Sequence, residues 1–93
     1  MIVAVMTIDV ALFEAMTLKD KRRVLQSFKV RLRDKFNVSV TEVDYGDSPK
    51  RSKLGIAAVS TETREAHSVL DKVVEMVRHT GGLTLLTYER EML

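Results

Sequence analysis

A row of basic side chains on one predicted helix is the feature of this sequence best suited to chemistry with a partner. Between Thr17 and Phe36 there are eight basic residues against two acids, a local charge of +6, whereas the other 73 residues carry seven basic and eleven acidic ones. Successive residues of a helix are about 100° apart in projection, and five of the basic residues then share or flank one outward side. They are Lys19, Arg22, Arg23, Lys29 and Arg33.

This basic side has one functional interpretation and two alternatives. Several lysines and arginines in a row can contact a phosphate backbone, with binding that is weak, indifferent to base sequence and steeply dependent on salt. The alternatives are an acidic protein partner and simple solvation, because long basic side chains favour helices and keep an exposed face soluble. Lys21 projects among the core leucines instead, and we expect it to extend from the margin of the helix towards solvent.

Residues capable of acid–base, nucleophilic or metal chemistry are few and scattered. His67 and His79 lie twelve residues apart on the second predicted helix, an offset of about 120°, so they do not converge. The carboxylates of Asp9, Glu42 and Asp44 fit solvated or edge positions on strands. The chain has no cysteine, which excludes thiolate catalysis and cysteine-bound metal, and two histidines are too few for a histidine metal site. We expect no enzymatic activity, no cofactor and no metal.

Length and composition restrict the class of protein further. Ninety-three residues form one domain, residues 1–93, with the 45% apolar and 30% charged composition of an ordinary globular protein. No apolar run approaches the roughly 20 residues that span a bilayer. The stretch from Met1 to Leu12 lacks a basic start and contains Asp9, unlike a secretory signal. We expect a cytoplasmic protein without a membrane partner.

The pattern of apolar residues predicts two helices and four strands. Alternation over Ile2 to Leu12 predicts the first strand. The first helix begins at Thr17, whose hydroxyl and the acid at Asp20 form a short capping box, and it runs to Phe36. The second helix spans Ala66 to Val77 and stops before a glycine pair. The other three strands cover Asn37 to Tyr45, Leu54 to Val59 and Leu83 to Met92.

Two details of the chain are less regular. The apolar face changes within the second strand, which predicts a β-bulge near Thr41 and Glu42. In the loop before the first helix, Phe13 and Met16 are expected to plug the core, with exposure as anchors for a partner as the alternative.

The element order β-α-β-β-α-β predicts an α+β fold of the ferredoxin-like kind, a four-stranded antiparallel sheet with two helices on one face and the first and third strands central. The other sheet face then shows small and β-branched residues, including Val3, Val5, Ala57 and Val59. It lacks the aromatic residues on which an RNA-recognition motif stacks bases. We expect this apolar face to be the interface of a homodimer, or the surface of a protein–protein adaptor.

Three segments carry a resemblance to a known family: Leu18 to Leu25, Phe36 to Asp44, and Leu54 to Ser60. Together they resemble the YlxP-like family of small bacterial proteins, a domain of unknown function, and the likeness covers nearly the whole chain. The resemblance implies a ferredoxin-like fold. It also implies a connection with RNA or the ribosome, because genes of the family commonly lie beside those of transcription and translation factors. No activity follows from it.

Overall fold

The computed structural model describes residues 1–93 and has its elements in the predicted order. They are β1 (Ile2–Ala11), α1 (Leu18–Lys35), β2 (Val38–Asp44), β3 (Arg51–Ser60), α2 (Thr63–Arg78) and β4 (Thr84–Met92). All neighbouring strands pair antiparallel in the order β2-β3-β1-β4, so the first and third strands are central. The predicted α+β architecture is confirmed. No helix is long and apolar enough to cross a membrane.

The core lies between the helices and one face of the sheet. On β1 every second residue from Ala4 to Val10 is buried, as the alternation predicts, and Leu54 and Ile56 of β3 share that face. Fully burying one large apolar side chain contributes about 1.5–3 kcal/mol, so this side holds the fold together. The largest fully buried apolar side chains are Met6, Ile8, Leu12, Phe28, Leu32, Leu54 and Leu70.

The first helix begins with the predicted capping box. The Thr17 Oγ1 atom accepts a hydrogen bond from the Asp20 backbone N–H at 3.1 Å, and Asp20 Oδ2 accepts from the Thr17 N–H at 3.1 Å and the Met16 N–H at 2.9 Å. These bonds, with the one from Met16 the largest contributor, lower the pKa of the Asp20 carboxyl. The box satisfies backbone groups that a helix start leaves unpaired.

The predicted bulge in β2 lies one residue beyond its expected place. The register with β3 shifts between Glu42 and Asp44, which makes Val43 the extra residue. The shift turns Val43 over the sheet face that the helices leave uncovered, where a Cβ added at Gly55 would lie 2.9 Å from Val43 Cγ1. Any larger residue at position 55 would therefore force the Val43 side chain to move. A second register shift, in β4, makes Leu86 an extra residue.

The two outer strands differ in how their edges are covered. On β2 the backbone oxygen of Val40 accepts a hydrogen bond from the Arg33 side chain of α1 at 3.0 Å. On β4 no side chain hydrogen-bonds to the backbone, and Leu86 and Tyr88 are exposed there. An exposed row of backbone groups is a template for another strand, so β4 is the more open edge.

Candidate nucleic-acid interface

The five predicted contact residues lie together on the side of α1 that faces away from the sheet. Leu25, Phe28 and Leu32 form the buried stripe that docks the helix. Because the stripe faces the sheet, the opposite positions must face solvent. Four of the five basic side chains are exposed and one is half-buried: Lys19, Arg22, Arg23 and Arg33 are exposed, and Lys29 is half-buried.

None of these five cations forms an ion pair with a carboxylate of the chain. Of the seven basic residues elsewhere in the chain, four do pair with carboxylates: Arg51 and Lys53 with Asp9, Arg78 with Glu75 and Arg90 with Asp71. The positive charge of α1 is therefore not neutralised by direct partners within the molecule, and it remains available to an external anion.

One margin of this surface lies beside the edge of β2. It is formed by Arg22, Lys29 and Arg33, and we call it the outer flank. Arg33 donates to the Val40 carbonyl at that edge. Lys29 lies close enough to Glu42 of β2 for its charge to help lower the pKa of that carboxyl. These contacts fix the direction of the flank relative to the sheet.

Lys21 does not extend to solvent, so the prediction for this residue is wrong. Lys21 is only 1% exposed. Its Nζ atom donates hydrogen bonds to the backbone oxygens of Tyr45 at 2.8 Å and Arg51 at 3.2 Å. The Gly46 oxygen is at 3.5 Å and Glu42 Oε2 at 3.0 Å. The Lys21 ammonium therefore joins α1 to both sides of the β2–β3 turn, because all four acceptors belong to residues 42–51.

Glu42 completes this buried contact from the strand side. Its Oε2 atom also accepts a hydrogen bond from the Ser52 hydroxyl at 2.6 Å. Partial burial on its own would raise the pKa of Glu42, but the hydrogen bonds from Ser52 and Lys21 and the charge of Lys21 outweigh it and lower the pKa. The carboxyl is therefore ionised under ordinary conditions and forms a true ion pair with Lys21.

The hairpin turn that Lys21 holds has an unusual backbone. Tyr45 has φ 62°, and no other residue except glycine has a positive φ. The guanidinium of Arg51 lies 4.6 Å from the centre of the Tyr45 ring and bonds to Asp9 Oδ1 at 2.8 Å. The hydrogen bond to Asp9 raises the pKa of Arg51, which keeps the guanidinium charged. The turn is held from the helix side by Lys21 and from the open sheet face by Arg51.

The side chains considered for catalysis are not brought together. Asp9 is tied to Arg51, Glu42 to Lys21, and Asp44 to the backbone N–H of Tyr45. His79 Nδ1 lies 2.8 Å from the Glu75 carbonyl oxygen, and His67 Nδ1 lies 3.3 Å from Arg90. No three histidine, aspartate or glutamate side chains gather where they could hold a metal ion.

Phe13 and Met16 do not plug the core, which overturns their expected role. They are 66% and 74% exposed. The loop is held instead by the neighbouring Ala15, which is buried, and by Lys50, whose Nζ donates to the Phe13 carbonyl at 2.8 Å. The two large side chains therefore lie on the surface just before α1.

A second basic region lies between the two helices and was not predicted from the sequence. A groove of about 690 Å³ runs between α1 and α2, and five of its lining residues are charged or titratable: Arg31, Lys35, Lys72, Glu75 and His79. The signal for its α1 side was present in the sequence, since Arg31 and Lys35 contribute to the +6 charge of this segment. The contribution of Lys72 depends on how the two helices are arranged, which projection of one helix does not give.

The four residues predicted for a dimer interface do share the uncovered sheet face. Val3, Val5 and Ala57 are half-buried, and Val59 is 57% exposed. Beside them a shallow hollow of about 310 Å³ lies over Gly55, lined by β1, β2 and β3. The face is apolar at its centre, and Glu89 and Glu91 of β4 lie along one side, opposite Thr7 and Val5.

The fold defines the chain as a small α+β protein of the ferredoxin-like class. It superposes on the de novo designed protein LFR1 1, described as having a ferredoxin fold, with a TM-score of 0.57 and 12% identity, covering 99% of this chain and 85% of that one. The de novo designed protein Foldit4 gives a TM-score of 0.56 and 12% identity over 100% and 97% of the two chains. At these identities the likeness concerns the fold alone.

Sequence comparison places the chain in a family. Residues 3–90 match the family described as protein of unknown function, DUF503. The chain is also 38% identical over 66 residues to the uncharacterized protein YlxP of Bacillus subtilis (strain 168), covering 71% of this chain and 72% of the relative. The chain belongs to the DUF503 family, and the resemblance to YlxP-like proteins is confirmed.

Proposed function

We propose that this protein is a non-catalytic cytoplasmic binding module that contacts RNA, alone or within the ribosome, through the exposed side of α1. The observation that carries the proposal is the contrast in pairing. Of the eight basic residues between Thr17 and Phe36 only Lys21 pairs with a carboxylate, whereas four of the seven elsewhere do: Arg51 and Lys53 with Asp9, Arg78 with Glu75 and Arg90 with Asp71. An unpaired row of like charges is the electrostatic footprint of a polyanion site.

The size of the surface sets the expected strength of binding. From Arg22 to Arg33 the helix rises about 16 Å, at 1.5 Å per residue, which is enough to meet several successive phosphates of one strand. Each neutralised phosphate contributes roughly −0.7 to −0.9 to the slope of log affinity against log salt. Three to five contacts therefore give weak binding that is detectable at low salt and lost as salt rises.

The proposal is tested by binding of fluorescently labelled structured RNA in about 50 mM salt. The combined change Arg22→Glu, Lys29→Glu and Arg33→Glu should reduce affinity by more than tenfold and flatten the salt dependence. A native protein that fails to bind structured RNA or ribosomes at this salt would overturn the proposal, as would unchanged binding by the triple variant.

A matched control separates this surface from the net charge of the molecule. Arg64 is exposed on the first turn of α2 and has no carboxylate partner. Arg64→Glu makes the same charge change as Arg22→Glu but lies on the other helix. The proposal requires a several-fold loss for Arg22→Glu and little change for Arg64→Glu. Equal losses would mean that binding depends on total charge alone.

The uncovered sheet face supports a second candidate function, a homodimer that pairs two copies face to face. Four strands at about 4.8 Å spacing and about 30 Å length cover roughly 580 Å² per copy, so two copies bury about 1,150 Å² in total. This lies at the lower limit for specific interfaces. We infer a weakly associating dimer centred on Val5 and Ala57, with an adaptor role for the face if the partner is another protein.

Sedimentation equilibrium across micromolar concentrations tests the dimer. Val5→Glu places a charge at the centre of the face and should shift the protein to monomer. Val30→Glu is the matched control, because Val30 is exposed on α1, away from this face. A monomeric native protein, or a Val5→Glu variant that associates as the native protein does, would contradict the dimer.

A further inference from the structure

We propose that the RNA bound by α1 is double-stranded, and that α1 lies in its wide, shallow groove with one basic row on each phosphate strand. This inference rests on the proposed function and names the form of RNA. It follows from the presence of two basic rows on opposite sides of the helix, together with a limit on how far α1 protrudes.

The second row lies on the side of α1 that faces α2. In projection Arg31 and Lys35 lie about 160–240° from the residues of the outer flank, at 100° per residue. The structure places Arg31 and Lys35 in the groove between the helices, where Lys72 of α2 joins them. We call these three residues the inner row. They are exposed and have no carboxylate partner.

Glu75, the one carboxylate that lines this groove, already has partners near the end of α2. Glu75 Oε1 accepts from Arg78 at 2.9 Å, and Glu75 Oε2 lies 3.8 Å from His79 Nδ1. The inner row is therefore not neutralised by direct contact with Glu75. The outer flank extends from Arg22 to Arg33, and the inner row flanks the last turns of α1 at Arg31 and Lys35, with the exposed top of the helix between them.

The exposed top of α1 is suited to contact the base pairs at the bottom of a groove without recognising particular bases. It carries Arg23, the partly exposed Val30 and one acid, Asp34. It has no aromatic residue for stacking on unpaired bases, which is how single-stranded RNA is usually recognised. The nearest aromatic residues are Phe36, which is partly buried in the groove beside Lys35, and Phe13 in the loop before α1, so the helix top between the two rows fits two backbones and fixed base pairs better than a single flexible strand.

The protrusion of α1 selects between the grooves of nucleic acid duplexes. A helix with its side chains is about 10–12 Å wide, and α1 is buried on the sheet along its inner half and flanked by α2 on one side, so at most roughly 5–6 Å of it protrudes. The DNA major groove is about 8.5 Å deep and the DNA minor groove only about 6 Å wide. The minor groove of A-form RNA is wide and shallow, and its major groove is too deep and narrow to be read. A shallowly protruding helix with a basic row on each side fits the wide, shallow minor groove of A-form RNA.

The experiment compares three probes of one sequence, about 20 nucleotides long: an RNA duplex, its single RNA strand and the DNA duplex. Fluorescence anisotropy in low salt should show the RNA duplex bound at least fivefold more tightly than either of the others. The combined change Arg31→Glu and Lys35→Glu should reduce duplex affinity by tenfold or more. The neutral pair Arg31→Gln and Lys35→Gln should cause a smaller loss, and Arg64→Glu again serves as control.

The outcomes distinguish this inference from the proposed function. If reversal of the outer flank weakens RNA binding while reversal of Arg31 and Lys35 does not, α1 contacts RNA along one side and the duplex inference fails. Equal or stronger binding to the single strand, or to the DNA duplex, also overturns it. If no probe and no structured RNA is retained, the proposed function fails with it. Circular dichroism of each variant distinguishes a loss of contact with RNA from a loss of fold.

Discussion

Two lysines of the same helix, Lys21 and Lys29, have opposite environments. Lys21 is 1% exposed and is bound by hairpin carbonyls and Glu42, whereas Lys29 is half-buried on the outer flank and forms no ion pair. Lys29 follows Lys21 by eight residues, and this spacing places its side chain about 80° further around the helix axis, away from the sheet. Lysine content alone therefore does not define the basic surface, because one cation of α1 belongs to the interior.

The buried lysine also positions the exposed ones. Lys21 joins the first turns of α1 to the β2–β3 hairpin, and Arg33 joins the last turns to the edge of β2. With both ends attached, α1 cannot rotate about its axis without breaking one of these contacts. The direction of the basic rows is therefore set by the same fold contacts that stabilise the molecule.

Substitution of the two lysines by methionine should separate their roles most clearly. Lys21→Met leaves the Glu42 carboxylate without its cation, and removal of one partner of a buried pair costs about 3–5 kcal/mol. Since Glu42 is partly exposed, we expect a value near the lower end, about 3 kcal/mol, in urea unfolding. Lys29→Met should change the unfolding free energy by less than about 0.5 kcal/mol. Similar losses for the two variants would remove the distinction.

The pH dependence of stability should report on the carboxylate side of the pair. The folded pKa of Glu42 lies below its usual value of 4.5, so its contribution is present above that pH and is lost as pH falls through the folded pKa. Glu42→Gln should cost about 1.5–2 kcal/mol at neutral pH, because the hydrogen bonds from Ser52 and Lys21 lose their charged acceptor.

Urea unfolding of both proteins between pH 7 and about pH 3 gives the comparison, because a paired carboxylate loses its contribution over this range. The difference between native protein and Glu42→Gln should shrink as the solution becomes more acidic. A constant difference would show that the carboxylate is not held in its charged form by Lys21.

The start of α1 offers a test of how much of its position depends on local capping. Thr17→Ala removes the hydroxyl that accepts from the Asp20 N–H, and loss of an N-cap side chain costs about 1 kcal/mol. Thermal or urea unfolding should therefore show a smaller loss than for Lys21→Met. Thr87→Ala, an exposed position on β4, is a control for the loss of the methyl and hydroxyl groups. A loss equal to that of Lys21→Met would mean that the capping box, not the buried pair, fixes the helix.

Arg33 is the intermediate case between Lys21 and Lys29, because it is exposed and still bonded to a backbone carbonyl. Arg33→Ala should lower the unfolding free energy by about 0.5–1 kcal/mol, the net value of one hydrogen bond. Hydrogen exchange of the β2 edge should rise in this variant and stay unchanged in Arg22→Ala. Unchanged exchange in both would show that Arg33 does not protect the edge.

The elements and the sheet order were predictable because their signals are local. Alternation in β1, the Thr17–Asp20 capping box and the helical spacing of Leu25, Phe28 and Leu32 depend on residues within a few positions of one another. The right-handed crossover rule then leaves few ways to arrange four strands and two helices. The change of apolar face in β2 likewise predicted the position of the bulge to within one residue.

The errors concern residues whose environment is set by distant parts of the chain. The acceptors of Lys21 come from residues 42–51, and helical projection shows that Lys21 faces inward without showing what it meets there. Phe13 and Met16 look like core residues by type, but the space beneath their loop is already closed by the neighbouring Ala15. Arg31 and Lys35 could be found within α1 itself, but their combination with Lys72 depends on the packing of α1 beside α2, which no pattern within α1 reveals.

The unequal covering of the sheet edges limits how copies of this protein can stack by strand addition. Endless fibre growth needs two receptive edges on each molecule, one to attach and one to extend. Arg33 occupies the Val40 oxygen on the β2 side, while β4 is bare. Edge-to-edge joining should therefore end after a single β4-to-β4 pairing, which makes the arginine on α1 a guard against polymerisation.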